Sequence, residues 1–429
     1  MPSASCVTVC RMNGSKGKIF VGMSGGVDPS SRANKLTMGQ ALRASRQKRI
    51  FVGLSGGVDS SVAAALLKEQ GYDVVAVFIK VWQADFLPCT WREERRDAMR
   101  AAARLDIPFV TLDLEKEYKK EVVDYMVREY GRGRVPNPDV MCNKHVKFGA
   151  FLEYAKANGA DLIATGHYAR IQSPVASHQF QVKNADSDPY AWKLATGNYK
   201  LLKGVDKEKD QSYFLWTLTQ EQLAHILFPV GHLLKKDVRK LARKFGLPNA
   251  EKKDSQGLCF IGKVDMADFL RHYLPTKNGA VLDTEGKTIG THKGALLFTI
   301  GQRHGFIVKR NLPGEEPYFV VAKDMQKNTI TVAHRDPEKS QNGYRNIGLG
   351  MLNVISKKSA DHRKQKILVR VRYRGSLLPA TWRFGAHSGD EEAEIILKQN
   401  EEGIALGQSL VLYKNEECLG GGVIMRTSP

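Results

Sequence analysis

The sequence predicts an α/β domain on a parallel sheet, followed by a second half of small β-barrels or sandwiches. Two observations carry this. Between Arg49 and Thr165 short apolar runs alternate with helical patterns, the signature of strands joined by helical crossovers. From about Gly279 the helical patterns stop, and short β-prone runs separated by Gly, Pro, Asn and Asp replace them.

Taken in order, Arg49 to Leu54 is a short apolar strand, and Ser55-Gly56-Gly57-Val58-Asp59-Ser60-Ser61 is a loop. The Ala- and Leu-rich run from Val62 to Gln70 is a helix that stops at Gly71. Asp73 to Ile79 is a buried strand, Trp91 to Leu105 a helix and Ile107 to Leu112 a strand. Glu115 to Tyr130 and Lys144 to Asn158 are helices, and Asp161 to Thr165 is a strand. In the second half, Ala295–Ile300, Tyr318–Ala322, Thr329–Val332, Ile367–Tyr373 and Ser409–Tyr413 read as strands. Ser173 to Pro189 reads as a surface loop, and residues 335 to 345 as a linker.

The chain has 429 residues, which at about 150 residues per domain suggests two or three domains. Apolar residues at 42% and charged residues at 26% fit an ordinary globular protein and argue against wholesale disorder. No apolar run reaches the roughly 18 residues of a membrane span, so no membrane partner is expected. Sixty-five Lys and Arg against 45 Asp and Glu leave a net charge of +20, which favours a polyanion such as nucleic acid as partner.

The six cysteines, at 6, 10, 89, 142, 259 and 418, are too sparse for a disulfide scaffold. Residues 1 to 48 carry eight basic residues and one acid, Asp28, and read as an unstructured extension rather than a transit peptide. The extension also holds a repeat. Lys18 to Asp28 matches Arg49 to Asp59 at nine of eleven positions, but Pro29 follows and no helix pattern does. That copy reads as degenerate.

The second copy is intact and has a chemical purpose. Two glycines let successive N–H groups point outward, and the helix behind adds the positive end of its dipole, which suits a pyrophosphate. Ser55, Ser60 and Ser61 add hydroxyls, and Asp59 is a candidate magnesium ligand beside the phosphates. No Gly-Lys-Ser/Thr closes the loop, so it is not a Walker A motif.

Ser-Gly-Gly-Val-Asp-Ser after a strand resembles the signature of the PP-loop ATP pyrophosphatases. Further motifs narrow the resemblance: Val135 to Lys144, Ala164-Thr165-Gly166-His167-Tyr168, Lys209 to Leu215, Lys253 to Gly262, Thr299 to Arg303 and Cys418 to Gly422. Together they are similar to the tRNA-specific 2-thiouridylases, from residue 49 to about 425. The resemblance implies an adenine-nucleotide-hydrolase-like (Rossmann-like) domain at 49–260, a small central β domain at 261–335 and a C-terminal tRNA-binding β-barrel at 336–429, after the extension 1–48. It implies ATP with Mg2+, tRNA as substrate, and a sulfur-relay protein or cysteine desulfurase as donor partner, in a monomeric, cytoplasmic enzyme.

The implied chemistry adenylates the C2 oxygen of the wobble uridine and replaces it with sulfur from a cysteine persulfide. Cys142 matches the family's nucleophile, Cys259 its persulfide carrier and Asp139 its acid/base. A disulfide between the two cysteines would close the transfer. Both sit in polar segments that suit an accessible thiolate, and Lys144 and Lys147 follow Cys142 closely. Cys89 and Cys418 read as structural, and no metal site is expected, although some relatives have been proposed to hold an iron–sulfur cluster.

For ATP the matching positions are Gly53, Leu54, Ser55, Gly56, Gly57, Val58, Asp59, Ser60, Ile79 and Gly166. For RNA they are Asn137, Pro138, Asp139, His167, Lys209, Asp210, Gln211, Arg372, Tyr373 and Gln408. Independently, residues 344 to 383 hold ten basic side chains and one acid, and period two puts Arg370, Arg372 and Arg374 on one strand face. Two rival readings remain: another PP-loop adenylating ligase, which needs neither cysteine, and a non-catalytic tRNA-binding protein with a vestigial ATP site.

Overall fold

A computed structural model of the chain describes residues 47–87, 90–173, 198–254, 265–309, 316–334, 343–355, 365–384 and 393–428. The first loop copy, Cys6, Cys10, Cys89, Cys259, nearly all of the 173–189 loop and most of the 335–345 linker lie outside these residues.

Strands β1 (Arg49–Gly53), β2 (Asp73–Lys80), β3 (Phe109–Asp113), β4 (Leu162–Ala164) and β7 (Ile226–Leu227) form one sheet in the order β3-β2-β1-β4-β7. Every pairing in it is parallel. Helix α1 (Val58–Glu69) lies on one face, where Ala63 and Ala64 are fully buried because their short side chains let the helix sit close to the sheet. Helices α2 (Trp91–Arg104) and α3 (Lys235–Lys244) share its core through Ala98, Ala101, Val238 and Ala242. The opposite face is covered by a helical stretch in which π turns at Lys119–Val123 and Cys142–Ala150 interrupt the α-helical pieces.

The second half holds two β-structures. β8 (Gly279–Leu282), β9 (Thr288–His292), β10 (Phe306–Val308), β11 (Tyr318–Asp324) and β12 (Thr329–His334) make a five-stranded sheet around Val281, Phe298, Val320 and Ile330. The apolar run expected as a strand at Ala295–Ile300 is instead a 3-10 turn, Ala295–Leu297, that buries Phe298 as a plug in this core. The last six strands are β13 (Tyr344–Val354), β14 (Gln365–Arg370), β15 (Leu378–Phe384), β16 (Ala393–Glu401), β17 (Ser409–Lys414) and β18 (Glu417–Ser428). They close into a barrel because β13 pairs with both β16 and β18.

Two strands from the first half join that barrel. β5 (Ala169–Gln172) and β6 (Lys200–Lys203) form a hairpin whose second strand pairs with β18, Leu202 opposite Glu417 and Leu201 opposite Cys418. The glycines of β18 follow from this junction. A Cβ at Gly421 would lie 2.6 Å from Leu410 O and 3.0 Å from the Trp216 ring. Gly420, at φ +135°, would collide with Asn353 O at 2.0 Å. Asn353 Nδ2 donates to Trp216 O at 2.6 Å and Leu218 O at 3.0 Å, stitching barrel to α/β half.

Candidate functional site

The strand order reverses between β1 and β4, and an open α/β sheet binds ligands in the crevice at that switch point. The Ser55–Ser60 loop leaves β1 there, and Gly166 follows β4. The two are in contact: a Cβ on Gly166 would lie 2.6 Å from Ser60 N and 2.7 Å from the Asp59 carbonyl carbon. Only glycine fits that approach.

The loop is held from several sides. Gly56 has φ +76°, and a Cβ on it would lie 2.4 Å from Glu94 O in α2. Gly57 caps α1, and its carbonyl accepts from Ser60 Oγ at 3.1 Å and Ser61 Oγ at 2.9 Å. Buried Asn249 donates through Nδ2 to Gly56 O at 3.0 Å and to Ser61 Oγ at 2.9 Å. Leu54 and Val58 are buried and serve packing. Gly53 lies in ordinary contact with Phe151. Ile79 is 5% exposed and packs in the core cluster with Phe51 and Val77.

Asp59 sits in the first turn of α1 and carries a dense network. Tyr168 OH donates to its Oδ1 at 2.8 Å, and Lys235 Nζ to Oδ1 and Oδ2 at 2.7 and 2.8 Å. Lys235 is also 2.9 Å from Asp254 Oδ1, which in turn meets Arg239 at 2.9 Å, while Asp254 Oδ2 meets Lys209 at 2.6 Å. Partial burial alone would raise the Asp254 carboxyl; hydrogen bonds from Lys209 and Lys235 outweigh it and bring it to about 2. Burial, with the Asp59 charge and hydrogen bond, keeps the Tyr168 phenol protonated. Lys235 and Asn249 were not singled out from sequence, and Tyr168 and Asp254 stood in quoted motifs without an assigned role; Tyr168, Lys235 and Asn249 act on the loop from more than 100 positions away.

Asn137, Pro138, Asp139 and Cys142 lie together on the opposite helical layer. Asn137 caps the short helix Pro138–Met141, accepting from Val140 N at 3.3 Å, with Pro138 in the first turn. Asp139 is half-buried in that turn. Cys142 opens the π turn and is fully buried with Tyr118, Val122, Val140 and Val146. The accessible thiol expected here is not present: the side chain is enclosed in the core. Its expected partner Cys259 is outside the described residues. No group of three His, Cys, Asp or Glu able to hold a metal occurs among the described residues.

Three family models match the chain in sequence: tRNA methyl transferase HUP domain over residues 48–263, tRNA methyl transferase PRC-barrel domain over 267–334, and aminomethyltransferase beta-barrel domain over 345–424. The tRNA-specific 2-thiouridylase MnmA 2 of Geobacillus kaustophilus is 42% identical over 95% of this chain and 94% of its own length. That of Nitrosomonas eutropha is 41% identical over 95% and 98%. The chain belongs to the tRNA-specific 2-thiouridylase family. Among solved structures, the U34-tRNA thiolase NcsA from Methanococcus maripaludis is 15% identical, covering 54% of this chain and 69% of that one, with a TM-score of 0.31.

Within this thiouridylase, two of the positions expected to meet RNA, Gln408 and Tyr373, lie near the Asn137–Cys142 segment, which itself holds three more. Gln408 Nε2 donates to Val135 O at 3.0 Å, and Val135 N to Leu406 O at 2.8 Å, so the barrel holds the backbone just before Asn137. Tyr373 lies 4.5 Å from the Phe214 ring, and Phe214 O accepts from Asn143 Nδ2 at 3.1 Å. Exposed Arg372 reaches Glu401 at 3.4 Å.

Asp210 and His167 are interior, while Lys209 and Gln211 are half-buried and engaged within the protein. Asp210 is buried; its Oδ1 accepts from Gly204 N and Ser212 N, and its Oδ2 pairs with Arg370 at 3.1 Å. Gln211 accepts from Tyr168 N at 2.9 Å, and Lys209 is spent on Asp254. His167 is buried between Phe148 and Phe228, with Nδ1 2.7 Å from Thr165 Oγ1. Burial, with Lys147 nearby, lowers its pKa well below the usual value. The arginine stripe is corrected too. β14 ends at Arg370, which turns inward to Asp210, leaving Arg372 and Arg374 exposed. Cys418 is buried, and burial pushes its thiol up to about 12, which fits a packing role.

Proposed function

We propose that this protein is a tRNA-uridine 2-sulfurtransferase that thiolates the wobble uridine. ATP would sit with its pyrophosphate on the Ser55–Ser60 loop. The observation that carries this reading is the contact of Gly166 with Ser60 N and Asp59, which leaves a glycine-only, donor-rich crevice at the sheet's switch point. The uridine C2 oxygen would attack the α-phosphorus and release pyrophosphate. The terminal sulfur of a Cys259 persulfide would then attack C2 and expel AMP. Cys142 would take the remaining sulfur of Cys259, free the 2-thiouridine and leave a disulfide that an external thiol must reduce.

Asp139, in the turn before Cys142, would move the proton. Cys142 must surface for this; it opens a π turn, a winding found frequently at functional sites. Mg2+ fits the site: it commonly takes one or two carboxylates plus substrate phosphates, and Asp59 is a carboxylate at the mouth of the loop. The ion would neutralise charge on the phosphates. A protein sulfur donor would load Cys259. Because the cycle ends in a disulfide, a reducing cytoplasmic compartment suits it. The pairs Val135–Gln408 and Phe214–Tyr373 support the barrel as the surface that presents the anticodon loop to Asp139 and Cys142. The +20 charge supplies the attraction.

The test is mass spectrometry of nucleosides from unmodified tRNA incubated with the full chain, ATP, magnesium and a persulfide source. The expected product is 2-thiouridine with the wild type and none with Cys259→Ser or Asp59→Ala. ATP consumption without sulfur in the RNA would move the reading to an adenylating ligase. Consumption unchanged in the double Cys142→Ser, Cys259→Ser variant would do the same.

A further inference from the structure

Glu129 has no task in the chemistry above, yet it is a buried charge where a helix tolerates one least. It lies near the C-terminal end of the helix Asp124–Gly131, and its side chain is 7% exposed. The negative end of a helix dipole repels a carboxylate, and burial adds a desolvation cost. Two guanidiniums offset both. Arg132 Nη1 donates to Oε1 at 3.0 Å and Arg134 Nη1 to Oε2 at 3.2 Å, three and five residues further along the chain. The Glu129 backbone carbonyl also accepts from Arg132 N at 3.1 Å and Arg134 N at 2.9 Å. Side chain and backbone of one residue thus bind the whole turn that leaves the helix.

The two arginines differ in what lies beyond them. The Arg132 side chain is 58% exposed. Arg134 lies against the barrel: a Cβ on Gly407, at φ +89°, would lie 2.9 Å from Arg134 Cβ and 3.0 Å from Val135 N. Val135 then bonds to Leu406 O and Gln408 Nε2. Between the arginines, Gly133 takes φ +74°, and a Cβ on it would lie 2.8 Å from Cγ of Met325, in the turn between β11 and β12. The stretch 132–135 is therefore where the α/β domain, the five-stranded sheet and the barrel meet. Asn137 follows two residues later. A guanidinium on a carboxylate fixes the direction of a contact, which apolar packing does not.

We propose that Glu129 is a positioning residue for sulfur transfer: through Arg134 it sets the 132–135 turn against the barrel, and so fixes where Asn137–Cys142 stands relative to RNA held on the barrel. The proposal rests on the reading that the uridine is thiolated beside Asp139 and Cys142.

The test measures initial rates of 2-thiouridine formation against tRNA concentration, with ATP affinity by calorimetry. It uses full-length wild type, Glu129→Gln, Arg134→Met, the double variant and Arg132→Met. A displacement of about 1 Å at reacting groups can cost about a hundredfold in rate. Glu129→Gln and Arg134→Met are each expected to lower kcat by about tenfold to a hundredfold, with the KM for tRNA and the affinity for ATP unchanged. The double variant should fall no further than either single one, because the pair acts as a unit. Arg132→Met, which keeps the contact between Glu129 and Arg134, should stay close to wild type. An unchanged kcat, a rise in KM alone, a parallel loss of ATP affinity, or an equal fall in Arg132→Met overturns the proposal. If Glu129→Gln does not fold, Arg134→Met against Arg132→Met decides, and equal kcat values overturn it. A wild type that makes no 2-thiouridine fails at the earlier step, the thiolation reading itself.

Discussion

At the scale of single residues, the loop depends on side chains far away in sequence. Asn249→Ala strips the donor from Gly56 O and Ser61 Oγ inside the protein. Stability is expected to fall by about 1–3 kcal/mol, with weaker ATP binding, read by denaturant unfolding and calorimetry. Gly166→Ala is expected to abolish ATP binding while the fold survives, because its Cβ would push into Ser60 N and Asp59. Near-UV circular dichroism would check the fold, and a variant that still binds ATP normally would contradict the assigned site. His167 gives a pH dependence. Its folded pKa lies below 6.5, so the unfolded chain binds more protons below that value. The stability it contributes is complete above about pH 6.5 and is lost as pH falls through the folded pKa. In His167→Gln that part of the acid slope of the melting temperature should disappear.

At the scale of elements, the fold shows what a sequence can and cannot reveal. β1 to β4 and α1 were readable because apolar runs, glycines and a helix stop reinforce one another locally. The Val62 start expected for α1 falls four residues late, since Val58 and Asp59 already belong to the helix. β7 was missed because two residues, Ile226–Leu227, make no pattern. β5 and β6 were missed because their partner is β18. Ala295–Ile300 looked like a strand because an apolar run of that length fits a strand or a buried turn equally well. The loop's glycines were legible from motif, whereas the roles of Lys235, Tyr168 and Asn249 were not, since nothing local marks a pairing made across 109 to 193 positions. The glycines of β18 permit a test at this scale. Gly421→Leu is expected to wedge the barrel from Trp216 and cost about 1–3 kcal/mol or more in thermal unfolding.

At the scale of the whole molecule, the barrel and the α/β half share a buried ion pair. The Asp210 and Arg370 side chains are 3% and 13% exposed. Removing one partner, as in Arg370→Met, leaves a buried carboxylate and is expected to cost about 3–5 kcal/mol. Adding Asp210→Asn should return part of that loss, which a double-mutant cycle by chemical denaturation would measure. Lys209 and Gln211 flank Asp210 and reach Asp254 and Tyr168, the two partners of the Asp59 network. A disturbance at this junction is therefore expected to lower ATP affinity as well as tRNA affinity, although Arg370 touches neither the loop nor Asp59 in the structure.

The pairing of β6 with β18 also bears on how the protein is made. Leu201 and Leu202 leave the ribosome more than 200 residues ahead of their partners Cys418 and Glu417. Until β18 follows, the hairpin therefore carries a bare edge, open to strands from other chains. A premature stop just before β18 would spare every residue assigned to chemistry here. It would still release a protein that clumps, and the lesion would be recorded as lost enzyme when the catalytic parts were all in hand.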